Sequence, residues 1–534
     1  MKYPIGTQSF EQLRKDGYVY VDKTALIYRL VTTGRIYFLS RPRRFGKSLL
    51  LSTLRNYFLG RRELFEGLAI NALEKEWAEY PVFSIDFNSS NFTKAGTLDR
   101  VIEETVSSWE REYGRSEDFT DVGRRFAHVL RKAHEGTGRR CVVLIDEYDK
   151  PLLDVLDTDY TIDVGGQRRP LEDWNREVLK GFYSVFKAAD NDLQFVLLTG
   201  VTKFAQVSVF SGFNQPQDIS MDARYEALCG ITQEEMERYF AEPIEEMAVK
   251  FKTDREGMLA MLKRNYDGYH FCEEMTDIYN PFSLLNAFAQ LNIRDFWFAS
   301  GSPEYLLRLL SHSDENLDEL TGKYYMPREF VDYKATVEKP LPMIYQSGYL
   351  TIKDFDRDFG SFLLDFPNKE VQQGFLSLAA SGYFASKKDA DGTVRSMVMA
   401  MRDGNTDRLK DILTAFLADI PYTARRKENE RERERYFQYT FYLIFRLLGT
   451  YTVRAEHHSS QGRADCIVET PKYVYIFEFK LDGTADEALA QIEEKGYARP
   501  YGADGRQVIR IGASFSSETG TVGEWKTVSG TRDI

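Results

Sequence analysis

Thiols are scarce in this 534-residue chain, which has four cysteines. Cys141, Cys229, Cys272 and Cys466 are scattered without CxxC spacing, which removes the pattern of a disulfide framework and fits a reducing cytoplasm. No apolar run is long enough to span a bilayer, and the Met1 end lacks the charged-then-apolar order of a secretory leader. The expectation is a cytoplasmic protein with no membrane partner. An excess of positive charge is also missing, because 70 Lys and Arg face 82 Asp and Glu for a net charge of -12. General coating of a polyanion is thereby excluded, and any nucleic-acid contact must use local basic patches. Short repeats and low-complexity tracts are absent as well.

What remains is 43% hydrophobic and 14% aromatic, enough for folded domains throughout and too long for one core. Short apolar runs alternate with amphipathic helical stretches up to about residue 230, the pattern of a parallel sheet covered by helices. Ile36 to Leu39, Val82 to Phe87, Cys141 to Ile145 and Phe195 to Leu198 are the strand candidates. From Thr232 to about Leu310 the periodicity is helical, with Thr232 as a cap. Leu341 to Phe366 reads as a helix start followed by two strands around a turn, which suggests a winged-helix module or a packing hairpin. The expected organisation is α/β: a P-loop sheet domain at 1–230, a helical lid at 231–335, a winged-helix-like connector at 336–420 and a second α/β domain at 421–534, bounded near Pro421.

After the first strand candidate comes Ser40-Arg-Pro-Arg-Arg-Phe-Gly-Lys-Ser48 and then the helical run Leu49 to Phe58. This is the second half of a Walker A loop, in which backbone N–H groups at a helix N-terminus cradle phosphate oxygens. Lys47 would reach the β/γ-phosphates, Ser48 would bind Mg²⁺, and Arg44, Phe45 and Gly46 belong to the same loop. Arg41 stands where the full pattern has its first glycine. Cys141-Val-Val-Leu-Ile-Asp146-Glu147 is an apolar strand ending in two acids, as a Walker B strand delivers a Mg²⁺-associated carboxylate and a neighbouring base. Asp149 reads as a possible helix cap. Thr199 and Thr202, beyond the strand Phe195 to Leu198, are alternative γ-phosphate sensors.

These segments resemble a bacterial AAA-ATPase-like family. The resemblance rests on Tyr20-Val-Asp-Lys-Thr24, Arg41 to Ser48, Ile145-Asp-Glu-Tyr-Asp-Lys-Pro151 and Thr199-Gly-Val-Thr-Lys-Phe204. It continues through Tyr266-Asp-Gly-Tyr-His-Phe271 and Tyr279-Asn-Pro-Phe-Ser283. The family's loop carries Arg at the position of Arg41, and the resemblance implies an ATPase switch with Lys47, Ser48, Asp146 and Glu147 in the usual roles.

A second constellation lies in Gly462-Arg-Ala-Asp465-Cys-Ile-Val-Glu469 and Tyr473-Val-Tyr-Ile-Phe-Glu478-Phe-Lys480. It is similar to the PD-(D/E)XK nuclease superfamily, with Asp465 and Glu478 matching the metal-binding acids and Lys480 the basic residue. Gln491 matches a further position of the superfamily, and Tyr497 can accompany it. Independently of any resemblance, phosphodiester hydrolysis calls for a divalent metal, and hard oxygen ligands suit Mg²⁺ or Mn²⁺. Glu434 is a candidate third ligand upstream; His457 and His458, adjacent on a strand, would face opposite ways. If Pro471 and Lys472 form a two-residue connection, Thr470 faces Tyr473 and Asp465 lies directly opposite Glu478.

The expected activity is ATP binding and hydrolysis joined to metal-dependent cleavage of nucleic acid, with DNA as the expected partner, in defence or mobile-element handling. The alternatives are a nucleotide-dependent switch whose C-terminal domain holds nucleic acid without cutting it, and an enzyme acting on RNA. Oligomeric state is not readable from the residues.

Overall fold

The computed structural model describes residues 1–203, 216–299, 305–306, 320–331, 340–384, 390–418, 452–459, 462–502, 505–516 and 518–530. The chain divides into two compact units, Met1–Gln372 and Gln373–Ile534.

The first unit is built on a five-stranded sheet. Its strands are β1 (Ile36–Ser40), β2 (Val82–Asp86), β3 (Cys141–Asp146), β4 (Leu193–Gly200) and β5 (Gln217–Asp218), in the spatial order β2-β3-β4-β1-β5. Every pairing is parallel. Helices on both faces explain why the central strands read as apolar runs: all of β3 is buried. Strand β1, which lies between β4 and the edge strand β5, feeds α1 (Lys47–Phe58). Helices α2 (Thr97–Tyr113) and α3 (Val122–Thr137) are joined by Arg125, buried and bonded to Glu110 at 2.6 Å and Glu103 at 2.7 Å.

The helical stretch is present as α4 (Gln233–Tyr239), α5 (Ala241–Phe251), α6 (Arg255–Tyr266) and α7 (Pro281–Gln290). Thr232 caps α4 in a reciprocal box with Glu235. Asn280 accepts from the Phe282 and Ser283 amides at the start of α7, where Pro281 fits the first turn. Met236, Phe240, Ile244, Met247, Leu262 and Leu284 form the shared core of these helices. Beyond β6 (Lys323–Tyr325), helix α8 (Leu341–Gln346) leads into the hairpin β7 (Thr351–Asp356) and β8 (Ser361–Asp365), and β6 pairs with β8. This hairpin packs within the first unit. Thr351 exchanges hydrogen bonds with the His270 backbone, and Lys353 donates to Gly268 O at 2.9 Å.

The second unit holds helices α9 (Ala390–Arg402) and α10 (Thr406–Ala418) and a five-stranded sheet. Its strands are β9 (Thr452–Ser459), β10 (Gly462–Glu469), β11 (Tyr473–Leu481), β12 (Gln507–Phe515) and β13 (Val522–Gly530), in sequential order. Only β11 and β12 run parallel among the described pairs, and α11 (Ala485–Glu494) makes the crossover that a parallel pair needs. Val474 and Ile476 share a core with Ile492 and Tyr497. Alternation along β11 turns Tyr473, Tyr475, Phe477 and Phe479 to the other face, where Tyr475 donates its hydroxyl to Met401 O at 2.6 Å. Pro421, the charged run Arg425 to Arg435 and Glu434 lie outside the described residues.

Candidate active sites

In the first unit, Gly46 takes φ +90° and opens α1, so the first amides of the helix face a cleft at the carboxyl ends of the strands. Arg43, Arg44, Lys47, Ser48 and Glu147 line that cleft of about 380 Å³. Lys47 is buried, and its Nζ donates to Arg41 O at 2.9 Å and Pro42 O at 3.1 Å. Burial pushes the Lys47 ammonium below its ordinary range, against the opposing pull of Glu147, Asp146 and Asp149. The loop carbonyls thus hold an ammonium that a phosphate oxygen could take over.

Arg41 explains its own departure from glycine. Its guanidinium points inward, 1% exposed, donating to Ser40 O and Ser220 O and standing 4.0 Å from the Phe271 ring. Its carbonyl accepts from Lys47, so the side chain never enters the phosphate cradle. Phe45 is likewise buried, edge-on to Tyr269 and Phe271, which roots the loop in the Tyr266-to-Phe271 segment.

Asp146 ends β3 and accepts from Thr199 Oγ1 at 2.6 Å. Glu147 follows at φ +51°, and burial raises its carboxyl above the ordinary range, with Lys47 and Arg43 opposing. The two threonines separate in the structure. Thr199 sits on Asp146, whereas Thr202 bonds through both amide and hydroxyl to Oδ2 of Asp149, each at 2.7 Å. Asp149 occupies the position before a short helix, Lys150–Leu153, without capping it; its carboxylate is spent on the Val201 and Thr202 amides instead. The close approach of Tyr148 and Asp149 leaves no room for a side chain at Gly200. Beside the polar cleft lies an apolar pocket lined by Val19, Val21, Leu50, Leu228, Pro281 and Leu285. Gly46, Leu49 and Pro281 border both.

The second unit brings Asp465, Glu478, Lys480 and Gln491 together. Glu469 faces Val474, Val468 faces Tyr475, Ile467 faces Ile476 and Cys466 faces Phe477. The ladder ends at that pair, and its register leads on to Asp465 and Glu478; Asp465 Oδ2 accepts from the Phe479 amide at 2.8 Å, and its charge acts on Glu478. Glu478 is 1% exposed, and its Oε2 has no hydrogen-bond partner among the described residues. Burial, followed by the Asp465 charge, lifts its carboxyl above the ordinary range, with Lys480 opposing. Lys480 Nζ lies 3.5 Å from Glu478 Oε1 and 2.6 Å from Gln491 Oε1 on α11. Tyr497 is a core residue behind this site, packed with Ile476 and Ile492.

A buried carboxylate oxygen without a hydrogen-bond partner, beside a second carboxylate, fits a hard divalent cation, since the Lys480 ammonium at 3.5 Å offsets only part of its desolvation. Among the described residues no third His, Cys, Asp or Glu joins the pair. Glu434 lies outside them, as do the side chains of Glu456, His457 and His458 on β9.

Residues that the sequence did not nominate also meet the first site. Trp297 lines the cleft, donates its indole N–H to Arg43 O at 3.1 Å, and gives its amide to Glu370 Oε1 at 2.6 Å. Gln346 lines a separate pocket with Arg41 and Lys203, and accepts from the Lys203 amide at 2.7 Å. No local pattern marks either one, because their partners are far away in the chain.

The parallel sheet, glycine-opened helix and paired acids define a nucleotide-binding fold of the P-loop class, followed by a nuclease-like mixed sheet. Comparison with known proteins agrees on both. Residues 4–210 match the model of a predicted AAA-ATPase, and residues 432–525 that of the PD-(D/E)XK nuclease superfamily. A protein of Azotobacter chroococcum mcd 1, described as an uncharacterized protein in the vnfD 5' region, is 35% identical over 533 residues, covering 98% of each chain. The chain belongs to this AAA-ATPase-like family with a C-terminal PD-(D/E)XK domain. Among the described residues no helix is long and apolar enough to cross a membrane.

Proposed function

We propose that the protein is a cytoplasmic ATPase and Mg²⁺-dependent nuclease that cleaves DNA, with ATP turnover regulating cleavage, in defence or mobile-element handling. The observation that carries the nuclease half is the Glu478 carboxylate, buried with one unpartnered oxygen opposite Asp465 and beside Lys480.

At the ATP site, the α1 amides and Lys47 would bind the phosphates, and the apolar pocket would take the base. Ser48 and Asp146 would hold Mg²⁺, with Thr199 orienting Asp146. Glu147, whose burial raises its affinity for a proton, would as the carboxylate accept the proton of the attacking water.

At the nuclease site, Asp465 and Glu478 would hold Mg²⁺, or Mn²⁺, which when bound polarises the phosphate and lowers the pKa of water. Lys480, oriented by Gln491, would stabilise the negative charge that develops on the attacked phosphate. Single- and double-stranded DNA and RNA, each incubated with Mg²⁺ or EDTA and with or without ATP, test the proposal. Mg²⁺-dependent cutting of DNA is expected. Retention of every substrate uncut, with binding intact, would favour a binding switch instead.

A further inference from the structure

The Arg41-to-Ser48 loop carries three arginines, and the structure gives each a different environment. Arg41 is an interior anchor. Arg44, at φ +68°, is exposed and lies over the Phe282 ring, 5.0 Å from its centre. Arg43 lines the cleft with Lys47 and Glu147, its guanidinium 5.8 Å from the centre of the Tyr305 ring. Among the described residues it has no ion pair and no side-chain hydrogen bond. Its charge acts on Glu147, the residue after β3, and on Tyr305, and it shares the lining of the cleft with Glu147.

The Arg43 backbone is also fixed: its carbonyl accepts the Trp297 indole N–H at 3.1 Å, while Trp297 is packed against Tyr349. Tyr305, in turn, is bonded to Ser347 at 2.9 Å. A permanently charged, forked donor that has no carboxylate partner among the described residues, half-buried in the lining of the cleft, matches the oxygens of a phosphoryl group.

From this geometry we infer that Arg43 is a catalytic residue of ATP hydrolysis, supplied by the chain itself, which binds the γ-phosphoryl oxygens as charge builds on them. The inference rests on the ATPase reading above. In the step concerned, the water oxygen bonds to the γ-phosphorus while the bond from that phosphorus to the β–γ bridging oxygen breaks. The bonding pair leaves with ADP, and the water proton passes to the Glu147 carboxylate. Arg43 takes part in no bond exchange; it offsets charge that is larger in the transition state than in bound ATP. Arg44, directed outward, would serve binding alone.

The test compares wild type with Arg43→Ala, Arg43→Lys and Arg44→Ala, measuring ADP affinity, affinity for ADP with aluminium fluoride and Mg²⁺, and ATP turnover. Wild type should bind the aluminium fluoride complex more tightly than ADP. Arg43→Ala should keep ADP affinity within about threefold, lose that extra affinity, and lower kcat by at least about a hundredfold. Arg43→Lys should recover only part, because a point charge cannot make the forked contact. Arg44→Ala should weaken ADP and its aluminium fluoride complex by the same factor. Retained ADP binding shows that each variant is folded at the site. An active wild type beside an Arg43→Ala variant of equal kcat and equal preference for the complex would overturn the role of Arg43 alone. A wild type that binds ADP but neither hydrolyses ATP nor prefers the complex would overturn the ATPase reading as well.

Discussion

Thr199 donates its hydroxyl to Oδ1 of Asp146 at 2.6 Å, tying the end of β4 to the end of β3. Thr202, three residues on, spends the same chemistry on Asp149, a carboxylate 1% exposed. The two hydroxyls therefore predict different losses. Thr202→Val removes a donor from a buried carboxylate and should cost about 1–3 kcal/mol in denaturant unfolding. Thr199→Val should instead raise the Mg²⁺ concentration for half-maximal ATP turnover, because Asp146 loses the group that orients it. An unchanged Mg²⁺ dependence in Thr199→Val would remove Thr199 from the site.

At the nuclease site, Asp465→Asn and Lys480→Ala should each reduce Mg²⁺-dependent cleavage by at least about a hundredfold while leaving ATP turnover intact. Gln491→Ala should have a smaller effect, on the order of tenfold, since it removes only the acceptor that aims Lys480. Gel-based cleavage rates at saturating substrate measure all three. Equal losses in Lys480→Ala and Gln491→Ala would mean that Gln491 touches the substrate itself.

Much of this was legible because local chemistry and burial agreed. Strands β1, β3 and β4 are buried and so read as apolar runs, the edge strand β2 alternates buried and exposed residues, and Asp146 with Glu147 stands out at the end of β3. Strand β5 was not legible, being two polar residues that pair with β1. The roles of Arg41 and Asp149 were hidden for another reason. Arg41 bonds to the Ser220 carbonyl and Asp149 to the Thr202 amide, and neither separation leaves a periodic trace. Asp149 looks like a cap from its neighbours, yet a more distant loop competes successfully for its oxygens.

Glu370 predicts a pH dependence of stability. Burial lifts its carboxyl from an ordinary value of 4.5 to about 7. Between those values the folded chain binds more protons than the unfolded one, so this group makes stability fall as pH rises through about 4.5 to 7, and level off above. Glu370→Gln keeps an acceptor for the Trp297 amide and removes the charge. The variant should match wild type near pH 4.5 and exceed it at pH 8 by an order of 1–3 kcal/mol in denaturant unfolding. Parallel stability curves for the two proteins would show that Glu370 is ionised in the fold.

Regulation by ATP predicts that the two activities respond together. Glu147→Gln should bind ATP and leave it unhydrolysed, and at saturating ATP it should change the rate of nucleic-acid cleavage. Cleavage rates indifferent both to ATP and to this substitution would mean that the two domains are merely tethered.

The last prediction concerns Thr470, which sets the register that opposes Asp465 to Glu478. Pro-Lys is a poor pair for a two-residue hairpin turn, because the favoured turns need left-handed backbone that proline cannot adopt. The structure supplies a side chain instead. Thr470 donates its amide to Tyr473 O at 2.8 Å, while its Oγ1 accepts the Tyr473 amide at 2.9 Å. The Thr470 carbonyl accepts from Arg506 at 3.1 Å, and the same guanidinium bonds to Glu469 at 2.8 Å. The hydroxyl thus closes the turn where a backbone carbonyl ordinarily would. Thr470→Val keeps the shape but leaves the Tyr473 amide without its acceptor, at a cost of about 1–3 kcal/mol. A one-residue slip would turn every side chain of β10 to the opposite face, so loss of register separates the two carboxylates outright. Thr470→Val should therefore weaken Mg²⁺ binding and cleavage well below the melting temperature, and Thr470→Ser should restore both. A Thr470→Val protein that is destabilised yet cleaves at the wild-type rate would confine the hydroxyl to holding the fold.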